Sequence, residues 1–112
     1  MTVGDVAHKL GLEACCSAAD LGQEVTGGYS GDLLSDVMAN SKAGNVWITM
    51  QMHVNIVAVA VLKELSAIIL VNGKHPAEDT LKRAREEHIP ILLSKLSAYE
   101  VAGKLYFLGA TA

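Results

Sequence analysis

The order of residues predicts an α/β domain of three layers, a mainly parallel sheet with helices on both faces, and three observations point to it. From residue 46 onward, strand-like and helix-like segments alternate with short turns, a βαβαβα order that builds a parallel sheet through right-handed crossovers. The run Ala67-Ile68-Ile69-Leu70-Val71 reads as a buried strand, as a sheet covered on both faces requires. Hydrophobic residues make up 51% of the 112 residues and charged residues 19%. That share favours a packed globule over disorder, and the length suits one domain over residues 1–112.

The elements follow in chain order. Thr2 and Asp5 resemble a capping box, and Val3, Val6, Ala7 and Leu10 recur at helical spacing until Gly11, which predicts a helix over residues 3–10. Residues 12–16 read as a strand, 17–23 as a loop and 25–27 as a second short strand. Leu33, Leu34, Val37 and Met38 share one helical face, with Ser30 or Asp32 available as N-cap and a break over 40–45. A strand over 46–50 then precedes a helix that starts at His53 or Val54 and runs to Leu65. This helix is apolar almost all round, so it should be buried against the sheet and something else. After the strand over 67–71 come a helix over 76–87 with proline in its first turn, a strand over 90–93, and a last helix from Ser97, with Glu100 completing a second capping box.

Composition excludes several function classes. No apolar run reaches the roughly 20 residues of a bilayer span, and no export signal is visible at the N-terminus, so the expectation is a soluble cytoplasmic protein with no membrane partner. The net charge is -3, and the one basic cluster, Lys82, Arg83 and Arg85, stands beside Glu86 and Glu87. Nucleic acid is therefore not an expected partner, because phosphate binding relies on an uncompensated basic patch. Cys15 and Cys16 would point to opposite faces of a strand, one of them entering the core. A metal site would need two more ligands and none lies close in sequence, so neither a metal nor a cofactor is expected; a vicinal disulfide is a third reading.

Ligands of open α/β sheets bind outside the carboxyl ends of the strands, which makes the residues after each strand the ones to weigh. The glycine-rich segment Thr26-Gly27-Gly28-Tyr29-Ser30-Gly31-Asp32 leads from strand to helix, where bare backbone N–H groups can meet an anion. It matches neither the dinucleotide fingerprint nor the P-loop. Thr49, Gln51, His53 and Asn55 alternate, so an extended segment would turn all four to one side. Two readings of this series are open: a polar wall for a ligand, or caps of the following helix in which His53 or Asn55 accepts a backbone N–H. Asn72, Gly73 and Lys74 follow the next strand, and Ser94 and Lys95 the last. His53 is the one candidate acid–base group, with no carboxylate placed in sequence to orient it. Asp32 and Asp36 stand one turn apart, either as a solvated face or as a pair for a cation. Ser94 and Ser97 lack an adjacent base, and His8, His75 and His88 read as solvated.

Four blocks carry a resemblance: Glu24-Val25-Thr26-Gly27-Gly28, Asp32-Leu33-Leu34-Ser35-Asp36-Val37-Met38, Val46-Trp47-Ile48-Thr49 with Gln51 and His53, and Asn55-Ile56-Val57-Ala58-Val59-Ala60. Together they resemble the DRTGG domain family over nearly the whole chain. In the pentad that names the family, Glu24 and Val25 stand for Asp and Arg, while Thr26, Gly27 and Gly28 fit. The resemblance implies a fold similar to the N-terminal domains of HPr kinase and the MurF-type ligases. It also implies a regulatory role like that of the CBS and DRTGG region of family II pyrophosphatases, which is dimeric and responds to adenine nucleotides. It carries no catalytic residue over.

The expectation is thus a non-catalytic regulatory or interaction module, homodimeric, sensing an adenine nucleotide or another phosphorylated small ligand, with a protein partner as a further option. The candidate ligand-binding residues are Thr26, Gly27, Gly28, Asp32, Thr49, Gln51, His53 and Asn55. The competing expectation is a small enzyme or an enzyme accessory subunit that uses His53 in a polar cleft.

Overall fold

The computed structural model describes residues 1–15 and 18–111. Helix α1 (Val3–Leu10) starts as its capping box dictates: Thr2 Oγ1 accepts from Asp5 N at 3.1 Å and the Asp5 carboxylate accepts from Thr2 N at 2.9 Å. Gly11, in the left-handed region at φ 65°, ends it. The bond from the Thr2 N–H, with a smaller contribution from the Thr2 side chain, holds the Asp5 carboxyl below its ordinary pKa. Strand β1 (Glu13–Ala14) is shorter than the predicted 12–16, and a 3₁₀ turn (Ala18–Gly22) occupies part of the expected loop. Cys15 lies just outside the strand, half-buried against the core, with its N–H bonded to Ile91 O at 2.8 Å; Cys16 lies outside the described residues.

Four parallel strands follow: β2 (Gly27–Ser30), β3 (Asn45–Thr49), β4 (Ala67–Leu70) and β5 (Ile91–Leu93). The sheet order is β1-β5-β4-β3-β2, with β1 antiparallel at one edge and β2 at the other. The connections between them are α2 (Leu34–Asn40), α3 (Asn55–Leu62) and α4 (Glu78–Glu86), and α5 (Ala98–Phe107) follows β5. Successive β-strand side chains point to opposite faces, and the core divides accordingly. Trp47, Ile68, Leu70, Ile91 and Leu93 pack with Val37 of α2, Ile56, Val57 and Ala60 of α3 and Ala84 of α4. Val46, Ile48, Ile69 and Leu92 pack with Val3 and Val6 of α1 and Val101 and Leu105 of α5. The expected three layers are therefore present, with three helices on one face and two on the other.

Several boundaries differ from expectation, each for a physical reason. The second strand is Gly27–Ser30 and not 25–27, because pairing with β3, Gly27 opposite Asn45 through Ser30 opposite Ile48, sets its limits. Helix α2 is capped by Leu33 with no side-chain bond, since the Asp32 carboxylate is drawn to β3 instead; Asp32 thus lies outside the helix and forms no helical pair with Asp36. Helix α3 stops at Leu62, three residues before the predicted end, where Lys63 caps it and Glu64 turns at φ 55°. It buries Ile56, Val57, Val59 and Ala60 but leaves Val61 and Leu62 exposed. Pro76 precedes α4 without entering it. At α5 Ser97 Oγ accepts from Glu100 N at 3.2 Å, while the Glu100 carboxylate takes the Ser97 hydroxyl at 3.2 Å, so only half of the predicted box forms.

Candidate functional site

The pairing register divides the predicted binding residues between the two ends of the sheet. Gly27 and Gly28 open β2 opposite Asn45 and Val46, the first residues of β3, so Thr26, Gly27 and Gly28 sit at the amino ends of the strands. Asp32 follows β2, Thr49 ends β3, and Gln51, His53 and Asn55 follow it at the carboxyl ends. The glycines and the polar series therefore do not share a cleft.

At the amino end the residues have evident packing work. Thr26 Oγ1 donates to Ala43 O at 2.9 Å and accepts from Asn45 Nδ2 at 3.3 Å, which fastens the segment before β2 to the turn before β3. A Cβ on Gly28 would come within 2.8 Å of Leu105 Cδ2, so this glycine lets α5 lie close over the sheet. The cavity beside it is ≈ 110 Å³, below the several hundred that a drug-sized ligand occupies.

At the carboxyl end of β2 and β3 the polar groups bond one another. Asp32 Oδ1 accepts from Thr49 Oγ1 at 2.7 Å and from Met50 N at 2.9 Å. Gln51 closes the arrangement from the other side, its Nε2 donating to Asp32 O at 3.0 Å and its N to Thr49 Oγ1 at 3.2 Å. His53 Nδ1 accepts from Asn55 N at 3.1 Å, which is the capping geometry that competed with the ligand reading. Thr80 Oγ1 of α4 donates to Met52 O at 2.8 Å and ties the same loop to the helix layer. The result is a latch between the β2–α2 and β3–α3 loops. Beside it Tyr29 donates its hydroxyl to the Asp36 carboxylate, whose other oxygen accepts from Asn40 Nδ2 at 2.8 Å. That bond to a carboxylate raises the Tyr29 pKa. Burial raises the Cys15 thiol likewise, which keeps it in the less reactive protonated form.

The carboxyl ends of β4 and β5 look different. Asn72 and Gly73 take φ values of 57° and 69°, and Lys74 N bonds Val71 O at 3.1 Å, a tight turn of the kind that Asn-Gly favours. Gly73 N donates to Ser94 O at 2.9 Å and Asn72 N to Leu96 O at 2.8 Å, so the loops after β4 and β5 are fixed against each other. Between them and the end of α1 opens a cleft of ≈ 450 Å³. Lys74, His75 and Lys95 stand in its lining, none of which was among the expected binding residues. Their positions after strands were visible in the sequence; that no ion pair among the described residues takes up their charged ends was not. Among the described residues no group of His, Cys, Asp and Glu is arranged to hold a metal ion, and no helix is long and apolar enough to cross a membrane.

The DRTGG domain model matches residues 15–106. The chain belongs to the DRTGG domain family. A crystal structure of the CBS and DRTGG domains of the regulatory region of Clostridium perfringens pyrophosphatase, complexed with its activator diadenosine tetraphosphate, has the same fold, with a TM-score of 0.66 at 13% sequence identity. The likeness covers 93% of this chain and 47% of that one, so the chain spans about half the length of that regulatory region. No curated protein matches it. The DRTGG pentad thus contributes, in this chain, a threonine that clasps a neighbouring turn and a glycine that admits a helix.

Proposed function

We propose that the chain is a non-catalytic regulatory module that works as a homodimer and senses an adenine nucleotide or another phosphorylated small molecule. The observation that carries this reading is the state of the one candidate acid–base group and its polar neighbours in a DRTGG domain: His53 Nδ1 accepts a backbone N–H, and Asp32 and Thr49 bond each other. A general base must be free to reach substrate, and a regulatory module has no such requirement. The regulatory setting of the similar pyrophosphatase domain, and the nucleotide activator of that protein, support the sensing role.

The dimer is supported by α5. Tyr99 and Phe107 are 89% and 92% exposed, and with Tyr106 they surround Gly103 on one face of the helix. Large aromatic side chains clustered on a small surface are characteristic of interface centres. Light scattering at micromolar concentration should give twice the monomer mass, and Phe107→Glu should lower it to the monomer while the circular dichroism of the fold is kept. A monomeric wild-type chain would rule the dimer out. For sensing, a ligand at 100 times its dissociation constant adds about 2.7 kcal/mol of apparent stability. Flat melting curves across adenine nucleotides and diadenosine polyphosphates would contradict that part.

A further inference from the structure

Helices α2, α3 and α4 pack on one face of the sheet and α5 on the other, so the chain leaves β4 toward one layer and β5 toward the opposite one. Adjacent parallel strands whose connections diverge in this way open a crevice at their carboxyl ends, the usual ligand position in open α/β sheets. Among the parallel strands described, β4 and β5 are the neighbours that meet this condition. The ≈ 450 Å³ cleft lies there.

Its chemistry has a sign. Lys74 and Lys95 reach it from the two loops, both exposed, and neither has an ion-pair partner among the described residues. His75 adds an imidazole at the rim, and Glu13 is the carboxylate that faces them. In a chain of net charge -3, two lysines against one carboxylate at one opening leave a local excess of positive charge that draws anions. The floor is apolar, formed by Leu10, Leu93 and Leu96. The volume lies within the roughly 300–1,000 Å³ of small-molecule sites, far more than an inorganic phosphate fills. The loops cannot drift apart easily, since Gly73 N and Asn72 N are bonded across to Ser94 O and Leu96 O.

We infer that this cleft is a binding site for a nucleotide-sized phosphorylated molecule, with the phosphates between Lys74 and Lys95 and the less polar portion on Leu10 and Leu96. The assignment rests on the sensing reading above and locates it. It also moves the ligand away from Thr26, Gly27 and Gly28 and from the Asp32 latch.

Isothermal titration of the full chain with ATP and with inorganic tripolyphosphate tests the inference, comparing wild type with the double variant Lys74→Glu, Lys95→Glu. Wild type should bind ATP more tightly than tripolyphosphate, and the double variant should bind ATP at least about tenfold more weakly, because charge reversal at two phosphate contacts replaces attraction with repulsion. Both lysines are exposed, so the ligand-free melting temperature should not change. Should it fall, Lys95→Gln, which removes one charge and little else, must still weaken ATP. Undiminished ATP binding by the variants would overturn the cleft while leaving nucleotide sensing intact. No binding of either probe to wild type would overturn both, and equal affinity for the two probes would overturn the role of the apolar floor.

Discussion

The carboxyl edge of the sheet has two halves that look alike in sequence and differ in what their polar groups do. Behind β2 and β3, Asp32, Thr49, Gln51 and His53 bond one another or the nearby backbone. Behind β4 and β5 it is the backbone that fastens the loops, through Asn72 and Gly73, and the side chains of Lys74 and Lys95 remain at the mouth of a cleft. A polar residue after a strand is thus no guide to binding until its own hydrogen bonds have been traced. In the first half side chains bond within the fold; in the second the two lysines form no ion pair among the described residues, as the proposed site requires.

The difference should appear first in stability. Asp32→Ala removes the acceptor of both Thr49 Oγ1 and Met50 N and leaves the hydroxyl proton of a threonine that is 1% exposed without its acceptor. A loss of about 2–3 kcal/mol is expected from chemical denaturation, against a change within about 0.5 kcal/mol for Lys95→Ala. Equal effects of the two substitutions would erase the distinction between the halves.

A smaller effect belongs to Tyr29. Its folded pKa lies above the ordinary 10.0 because the neutral hydroxyl donates to Asp36. The stability linked to that proton is fully present below the unfolded pKa and is lost as pH rises through the higher folded value. Melting curves from about pH 9 to 11 should therefore fall more steeply for wild type than for Tyr29→Phe, which has no such proton to lose. Parallel curves would show that the bond to Asp36 adds nothing to the β2 half.

What could be read from residues alone followed the range of the interactions involved. Helix α1 was legible to the residue because Thr2, Asp5 and Gly11 act within a few positions of one another. The alternation of strands and helices was legible because apolar periodicity records which face is buried. The limits of β2 were not, since they depend on pairing with residues 45–48. Nor was the role of Asp32: a local rule offers it as the cap of α2, and a hydroxyl 17 positions away takes it instead. The DRTGG membership was visible in the blocks around Thr26, Asp32 and Val46, although the pentad turned out to serve packing at the amino end. The strand-end positions Asn72, Gly73, Lys74, Ser94 and Lys95 were legible, but their own cleft was not, because it needs three distant segments, the end of α1 and the loops after β4 and β5, and because Asn72-Gly73 announces a tight turn but not what the turn presents.

Backbone amide shifts followed during titration with ATP decide most directly between the two halves. The largest changes are expected at residues 73–75 and 94–96, with Gly11 and Glu13 moving less and the latch residues Asp32, Thr49 and Gln51 still. Changes centred on Gly27 and Gly28, or on residues 49–55, would contradict the assignment and return the ligand to the segments that the sequence first suggested.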